Sequence, residues 1–122
     1  MLDTNILIYA TNNSPPEILA RLGKFRRGEI AISSITWAEY CVGLYKLKID
    51  NSPVEKLIDI LPFDARAGNI FGTITDNHPE KANGFDRLIA AHAISLGVKL
   101  ITNNHADFAR YRDDGLVIDN WM

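Results

Sequence analysis

Apolar residues recur along this chain in two rhythms, short unbroken runs and stripes at helical spacing, and the two alternate from one end to the other. Met1-Leu2-Asp3-Thr4, followed by Ile6-Leu7-Ile8-Tyr9, predicts a short buried strand running into a helical turn. Ser14-Pro15-Pro16-Glu17 has the spacing of a helix N-terminus, and Ile18, Leu19, Leu22 and Phe25 continue it to Gly28. Glu29 to Ser33 then reads as a strand, and Ser34 as the cap of a helix carrying Ile35, Ala38, Val42 and Leu44 to about Lys46. A capped helix from Ser52-Pro53-Val54-Glu55 to about Asp59 follows, with a short strand at Ile60 to Phe63 and a helix from Asp64 to Asp76. Asn77-His78-Pro79 and Asn83-Gly84 enclose a loop. Beyond it Phe85 to Leu96 is strongly helical, with Gly97 as its stop, and the last strands fall at Val98 to Thr102 and Leu116 to Ile118. Strands alternating with helices imply an α/β fold, a mostly parallel sheet with helices on both faces. In such sheets ligands gather beyond the carboxyl ends of the strands.

Composition narrows the class. With 122 residues, 47% of them hydrophobic and 23% charged, and no repeat or linker, the expectation is one domain spanning 1–122. A chain of this size buries about two thirds of the surface it exposes when unfolded, so it needs no metal or disulfide merely to fold. The single Cys41 has no partner for an internal disulfide, and no secretory signal opens the chain, so a cytoplasmic setting is expected. No apolar run approaches the roughly 20 residues that cross a bilayer. A net charge of −2 counts against gripping nucleic acid by bulk charge.

Four acids stand where this architecture would place a site. Asp3 lies at the carboxyl end of the first strand in an otherwise apolar segment. Glu39 sits between Ile35 and Val42, on the helical stripe expected to face the sheet. Asp86 heads the line Ile89, Ala90 and Ala93, at a helix N-terminus that favours its ionised form. Asp107 follows the strand ending at Thr102, within a polar stretch. Unpaired carboxylates gathered at one sheet end repel one another and lose hydration, and a hard divalent cation relieves both. Mg²⁺ or Mn²⁺ takes oxygen ligands, lowers the pKa of a bound water and neutralises phosphate charge, which is the chemistry of phosphodiester hydrolysis.

The segments Met1-Leu2-Asp3-Thr4-Asn5, Ser33-Ser34-Ile35-Thr36-Trp37-Ala38-Glu39, Phe85-Asp86-Arg87-Leu88-Ile89-Ala90-Ala91-His92-Ala93 and Leu100-Ile101-Thr102-Asn103-Asn104 through Asp107-Phe108 resemble PIN-domain ribonucleases, and within them the VapC toxins. The resemblance extends to Asn120-Trp121 and so covers essentially the whole chain. It implies a three-layer α/β/α PIN-like fold, Mg²⁺- or Mn²⁺-dependent endoribonuclease activity, a homodimer, and inhibition by a VapB-type antitoxin. It carries metal ligation to Asp3, Glu39 and Asp86. Many PIN domains place an acid directly after the Thr of the fourth strand, where this chain has Asn103, so Asp107 is the candidate fourth acid. Thr4, Asn5, Thr102 and Asn103 resemble the polar residues that hold the acids or the water. The branch resembles enzymes that cut tRNA, often initiator tRNA, although no motif here reads a sequence.

Other chemistry has less support. His92 lies six residues after Asp86 and faces away from it, and His78 and His105 are loop residues without zinc spacing. Cys41 reads as a core filler, and Trp37 as an interface residue. No phosphate-binding glycine loop is present. A phosphoacceptor switch also gathers acids at strand ends but needs a nearby Lys, and no Lys here ends a strand. The alternative of another class is a catalytically silent PIN-like module that binds RNA or protein. Arg21, Lys24, Arg26 and Arg27 concentrate on the second helix, with Lys46 and Lys48 later, as candidate phosphate contacts. Once the four acids are assigned to a metal site, the remaining charge no longer opposes an RNA-cutting enzyme.

Overall fold

Backbone pairing in the computed structural model, which describes residues 1–11, 16–26, 28–47 and 58–121, runs through the first three residues of the chain. Leu2 forms a parallel bridge with Ile101, and its N–H donates to the Ala31 carbonyl at 3.0 Å. On one side of it lies β1 (Ala31–Ser33), paired in parallel with β2 (Asp59–Leu61). On the other lies β3 (Leu100–Ile101), paired in parallel with β4 (Ile118–Asp119). The order across the sheet is therefore β2, β1, the Leu2 segment, β3, β4. Every pairing is parallel, so all carboxyl ends share one edge.

Among the described residues the helices are α1 (Thr4–Thr11), α2 (Pro16–Leu22), α3 (Ser34–Leu47), α4 (Ala65–Asn77), α5 (Gly84–Leu96) and the short α6 (His105–Phe108), which continues as a 3-10 turn over Ala109–Asp114. They cover both faces of the sheet, because side chains alternate along a strand. Met1 and Leu100 point into one core with Ile74, Ile89, Ala90, Ala93, Phe108 and Tyr111. Leu2 and Ile101, one position on, point into the other with Ile6, Leu7, Ile18, Ile32 and Trp121. The α/β/α expectation holds on this alternation.

Several boundaries differ from the sequence reading. Helix α2 ends at Leu22, so Lys24 and Arg26 lie past it, and Phe25 stacks on Trp121 with ring centroids 5.4 Å apart. The start of α3 is capped by Ser33, whose Oγ accepts from the Ile35 N–H, while the Ser34 Oγ accepts from Phe63 of the next strand's exit. Val42 is 58% exposed, so the inward face of α3 is built by Thr36 and Tyr40 instead. Trp37 is partly buried against Tyr40 and the second core. Asp64 caps α4 through the Ala67 N–H, and Asn83 caps α5 through the N–H groups of Phe85 and Asp86. Gly97, with φ +66°, closes α5; its own N–H and that of Val98 return to Ile94 and Ala93, a turn that favours glycine. The predicted cap at Ser14-Pro15, the helix beginning at Ser52, and residues Arg27 and Lys48 lie outside the described residues.

Candidate active site

The shared carboxyl edge of the sheet places Asp3 one residue beyond Leu2 and Thr102 one residue beyond Ile101. Both are buried, Asp3 at 3% exposure and Thr102 at 0%. Because Asp3 N–H closes the ladder onto the Ile101 carbonyl, its side chain is carried over the edge next to Thr102. The Thr102 hydroxyl donates to Asp3 Oδ2 at 2.8 Å and the Thr4 N–H donates to Oδ1 at 2.7 Å, so both carboxylate oxygens are held. The Thr4 hydroxyl reaches across to α3 and donates to Glu39 Oε1 at 2.8 Å. One threonine thus fixes two acids from different elements.

Asp107 sits on α6, where the Asn104 amide donates to its Oδ2 at 2.7 Å. Asn104 is itself tied to the sheet edge, its N–H donating to Thr102 Oγ1 at 2.9 Å. Asp86 occupies the first turn of α5. Its carboxyl is pushed up to about 6, first by burial and then by the negative charges of Asp3, Asp107 and Glu39. Those three acids lie near enough to Asp86 for their charges to act on it. Burial also raises the Asp3 carboxyl against the two hydrogen bonds it accepts, with Asp107 adding to the rise. Glu39 is raised by burial and by Asp3, opposed by the Thr4 hydrogen bond. The helix N-terminus was expected to keep Asp86 ionised; loss of water and three like charges outweigh that dipole here.

Thr4 and Thr102 take the supporting positions expected of them. Asn103 does not reach an acid, since its amide donates to the Tyr9 hydroxyl at 3.3 Å, and Asn5 is exposed and joins none of these bonds. Glu39 is half-buried. Arg21, Lys24 and Arg26 are exposed. His92 is buried, its Nδ1 2.7 Å from Ser33 Oγ and its ring edge-on to Phe63, which makes it part of the core. The sequence reading missed Asn104 and Asn83. An Asn directly before a helical stripe is a cap signal, and Asn104 also stands three residues before an acid, within reach of it.

Among the described residues no three His, Cys, Asp or Glu side chains are gathered closely enough to enclose a metal ion by themselves. The donor set nevertheless suits a hard cation that keeps several waters and takes one or two carboxylates directly, because all four acids offer oxygen donors and among the described residues none of them is paired with a basic side chain.

A parallel α/β/α sheet with acids from four elements meeting at its carboxyl edge is the architecture of PIN domains, and the PIN domain family model matches residues 1–114. The chain belongs to that family. Its relatives include Ribonuclease VapC2 of Rickettsia felis, 34% identical over 99% of this chain and 96% of the relative. The tRNA(fMet)-specific endonuclease VapC of Shigella flexneri is 32% identical, with the same coverage of each chain. The fold is similar to that in the crystal structure of VapBC2 from Rickettsia felis bound to a DNA fragment from their promoter, with a TM-score of 0.79 and 33% identity over 100% of this chain and 98% of that one. Among the described residues no helix is long and apolar enough to cross a membrane.

Proposed function

We propose that this chain is a divalent-metal-dependent endoribonuclease, the toxin of a toxin–antitoxin pair, hydrolysing RNA phosphodiester bonds with tRNA as the substrate class. The observation that carries the reading is the hydrogen-bonded chain that ties Asp3, Glu39 and Asp107 to one sheet edge, with the carboxyls of Asp3, Glu39 and Asp86 all raised and Asp86 pushed up to about 6, in a chain whose fold family contains named ribonucleases. Asp3, Glu39 and Asp86 would hold Mg²⁺ or Mn²⁺, with Asp107 positioning the ion or a water. When bound, such an ion supplies neutralising charge at the phosphate and a water acidic enough to attack it near neutral pH. The chain's own residues do the arranging. Thr4 and Thr102 point the oxygens of Asp3 and Glu39, and Asn104 points Asp107. Arg21, Lys24 and Arg26 would meet RNA phosphates, with Arg27 the fourth basic residue of that segment. A VapB-type antitoxin belongs to the reading, since the similar Rickettsia felis structure is of VapBC2, and a homodimer completes it as the family resemblance implies.

Incubating the purified protein with total tRNA and Mn²⁺ tests it, alongside Asp3→Asn and Asp86→Asn. Cleavage by the wild type that collapses in both variants is expected. Unchanged cleavage in the variants removes the metal site from these residues, and no cleavage of any RNA favours a silent binding module.

A further inference from the structure

Outside the acidic edge, a polar cluster lies between the loop joining α4 to α5 and the 3-10 turn after α6. Arg87, the residue after Asp86, is at its centre and only 8% exposed. Its Nε donates to the Tyr111 hydroxyl at 3.0 Å, and one terminal nitrogen donates to the carbonyls of His78 at 3.0 Å and Glu80 at 3.4 Å. The guanidinium also lies over the Tyr111 ring, 5.8 Å from its centroid. Around it, His78 Nε2 bonds Asp114, the Asn77 amide donates to the same Asp114 at 3.0 Å, and Arg110 pairs with Glu80 at 3.2 Å. The bonds to Tyr111 and Asp114 and the Arg110–Glu80 pair join α5 and the loop before it to the segment that follows Asp107, while the two carbonyl bonds hold Arg87 to that loop.

Burying a guanidinium against neutral acceptors is costly, and among the described residues no carboxylate pairs with it. Its rigid fork can serve a hydroxyl and two carbonyls at once, which a lysine ammonium on a flexible stem cannot reproduce. Asp86 rides on the first turn of the helix that Arg87 anchors, and Asp107 rides on the helix that leads directly into Tyr111. We propose that Arg87, acting through Tyr111 and the His78 and Glu80 carbonyls, is a positioning residue that sets the spacing of Asp86 and Asp107 and thereby the affinity of the acidic edge for a divalent cation. The inference rests on the metal-dependent reading of that edge.

Mn²⁺ binding to the purified protein, followed by the free-Mn²⁺ electron paramagnetic resonance signal, is the test, with melting curves and tRNA cleavage measured beside it. Arg87→Lys keeps the charge and loses the fork; Tyr111→Phe keeps the ring and loses only the hydroxyl. Outer partners of metal ligands typically change metal affinity about 10–100-fold when removed, so Arg87→Lys weakens Mn²⁺ binding about tenfold or more and Tyr111→Phe weakens it by less. At saturating Mn²⁺ the KM for tRNA stays at the wild-type value and kcat recovers, because RNA contacts are untouched. Wild-type Mn²⁺ affinity in both variants, each still melting cooperatively, overturns the proposal. If Arg87→Lys does not fold, Tyr111→Phe decides alone. A wild type that binds Mn²⁺ but cuts no RNA defeats the nuclease reading while the affinity shift still judges this one; a wild type that binds no Mn²⁺ overturns both.

Discussion

Replacing Asp86 by Asn removes a charge that the folded, metal-free protein holds at a cost, so the variant should be more stable than the wild type. The Asp86 carboxyl rises from 3.8 to about 6 because it is desolvated and faces Asp3, Asp107 and Glu39. At 1.36 kcal/mol per unit the full shift would correspond to about 3 kcal/mol. The group is only half-buried, so solvent screening reduces this, and the amide also forgoes the attraction of the α5 N-terminus; about 1–1.5 kcal/mol is the expected gain. For a domain of this size that is a rise in Tm of about 3–8 °C. The sign follows from proton linkage. An acid whose native pKa is raised binds more protons folded than unfolded between 3.8 and about 6, so its favourable contribution is complete below 3.8 and lost as pH rises through about 6. The advantage of Asp86→Asn should therefore be near zero in acid, grow between those values and level off above them. Differential scanning fluorimetry with EDTA across that range measures it. Saturating Mn²⁺ should reverse the ranking, since a ligand at a hundred times its Kd stabilises the form that binds it by about 2.7 kcal/mol. An Asp86→Asn protein that melts at or below the wild type in EDTA at neutral pH would refute the reasoning, because the acids would then not be repelling one another.

Three further outcomes are expected. Thr102→Val keeps the buried shape but removes the hydroxyl that donates to Asp3 Oδ2, and it should weaken Mn²⁺ binding and cleavage by about 10–100-fold; calorimetric titration with Mn²⁺ that matches the wild type would count against it. His92 is held neutral mainly by burial, with its pKa lowered from 6.5 against the opposing pull of the Asp64 charge and a hydrogen bond to the Pro62 carbonyl. A depressed histidine favours the native state above its unfolded pKa, so stability should fall as pH drops below 6.5, and an NMR titration placing His92 at or above that value would contradict this. Leu100→Ala opens a cavity at a fully buried position in the first core, and should cost about 2–5 kcal/mol in urea unfolding; a loss well below that range would mean that the site collapses freely.

The chain alone determined the alternation of strands and helices and the parallel sheet, and it pointed to the carboxyl edge and to Asp3, Glu39 and Asp86 as the candidate site. Those features are local: a run such as Leu100-Ile101 between a glycine stop and a polar turn, or Ile89, Ala90 and Ala93 in line behind Asp86, has its meaning within a few residues. Helix α5 and its Gly97 stop were legible for the same reason. The inward face of α3 was misjudged because Val42 matches helical spacing as well as Tyr40 does, and only the neighbours α1 and α5 decide which side is covered. Periodicity names a face without saying what packs on it. The remaining features join residues far apart in sequence, and only the tertiary structure decided them. Thr102 meets Asp3 from 99 positions away, Thr4 meets Glu39 from 35, and Arg87 meets Tyr111 from 24. The state of the acids is decided there too. A helix N-terminus taken alone would ionise Asp86, whereas burial, and then the three carboxylates that folding brings near it, hold a proton on it up to about 6. Charge repulsion at close range belongs to the folded arrangement, because only folding brings those charges together.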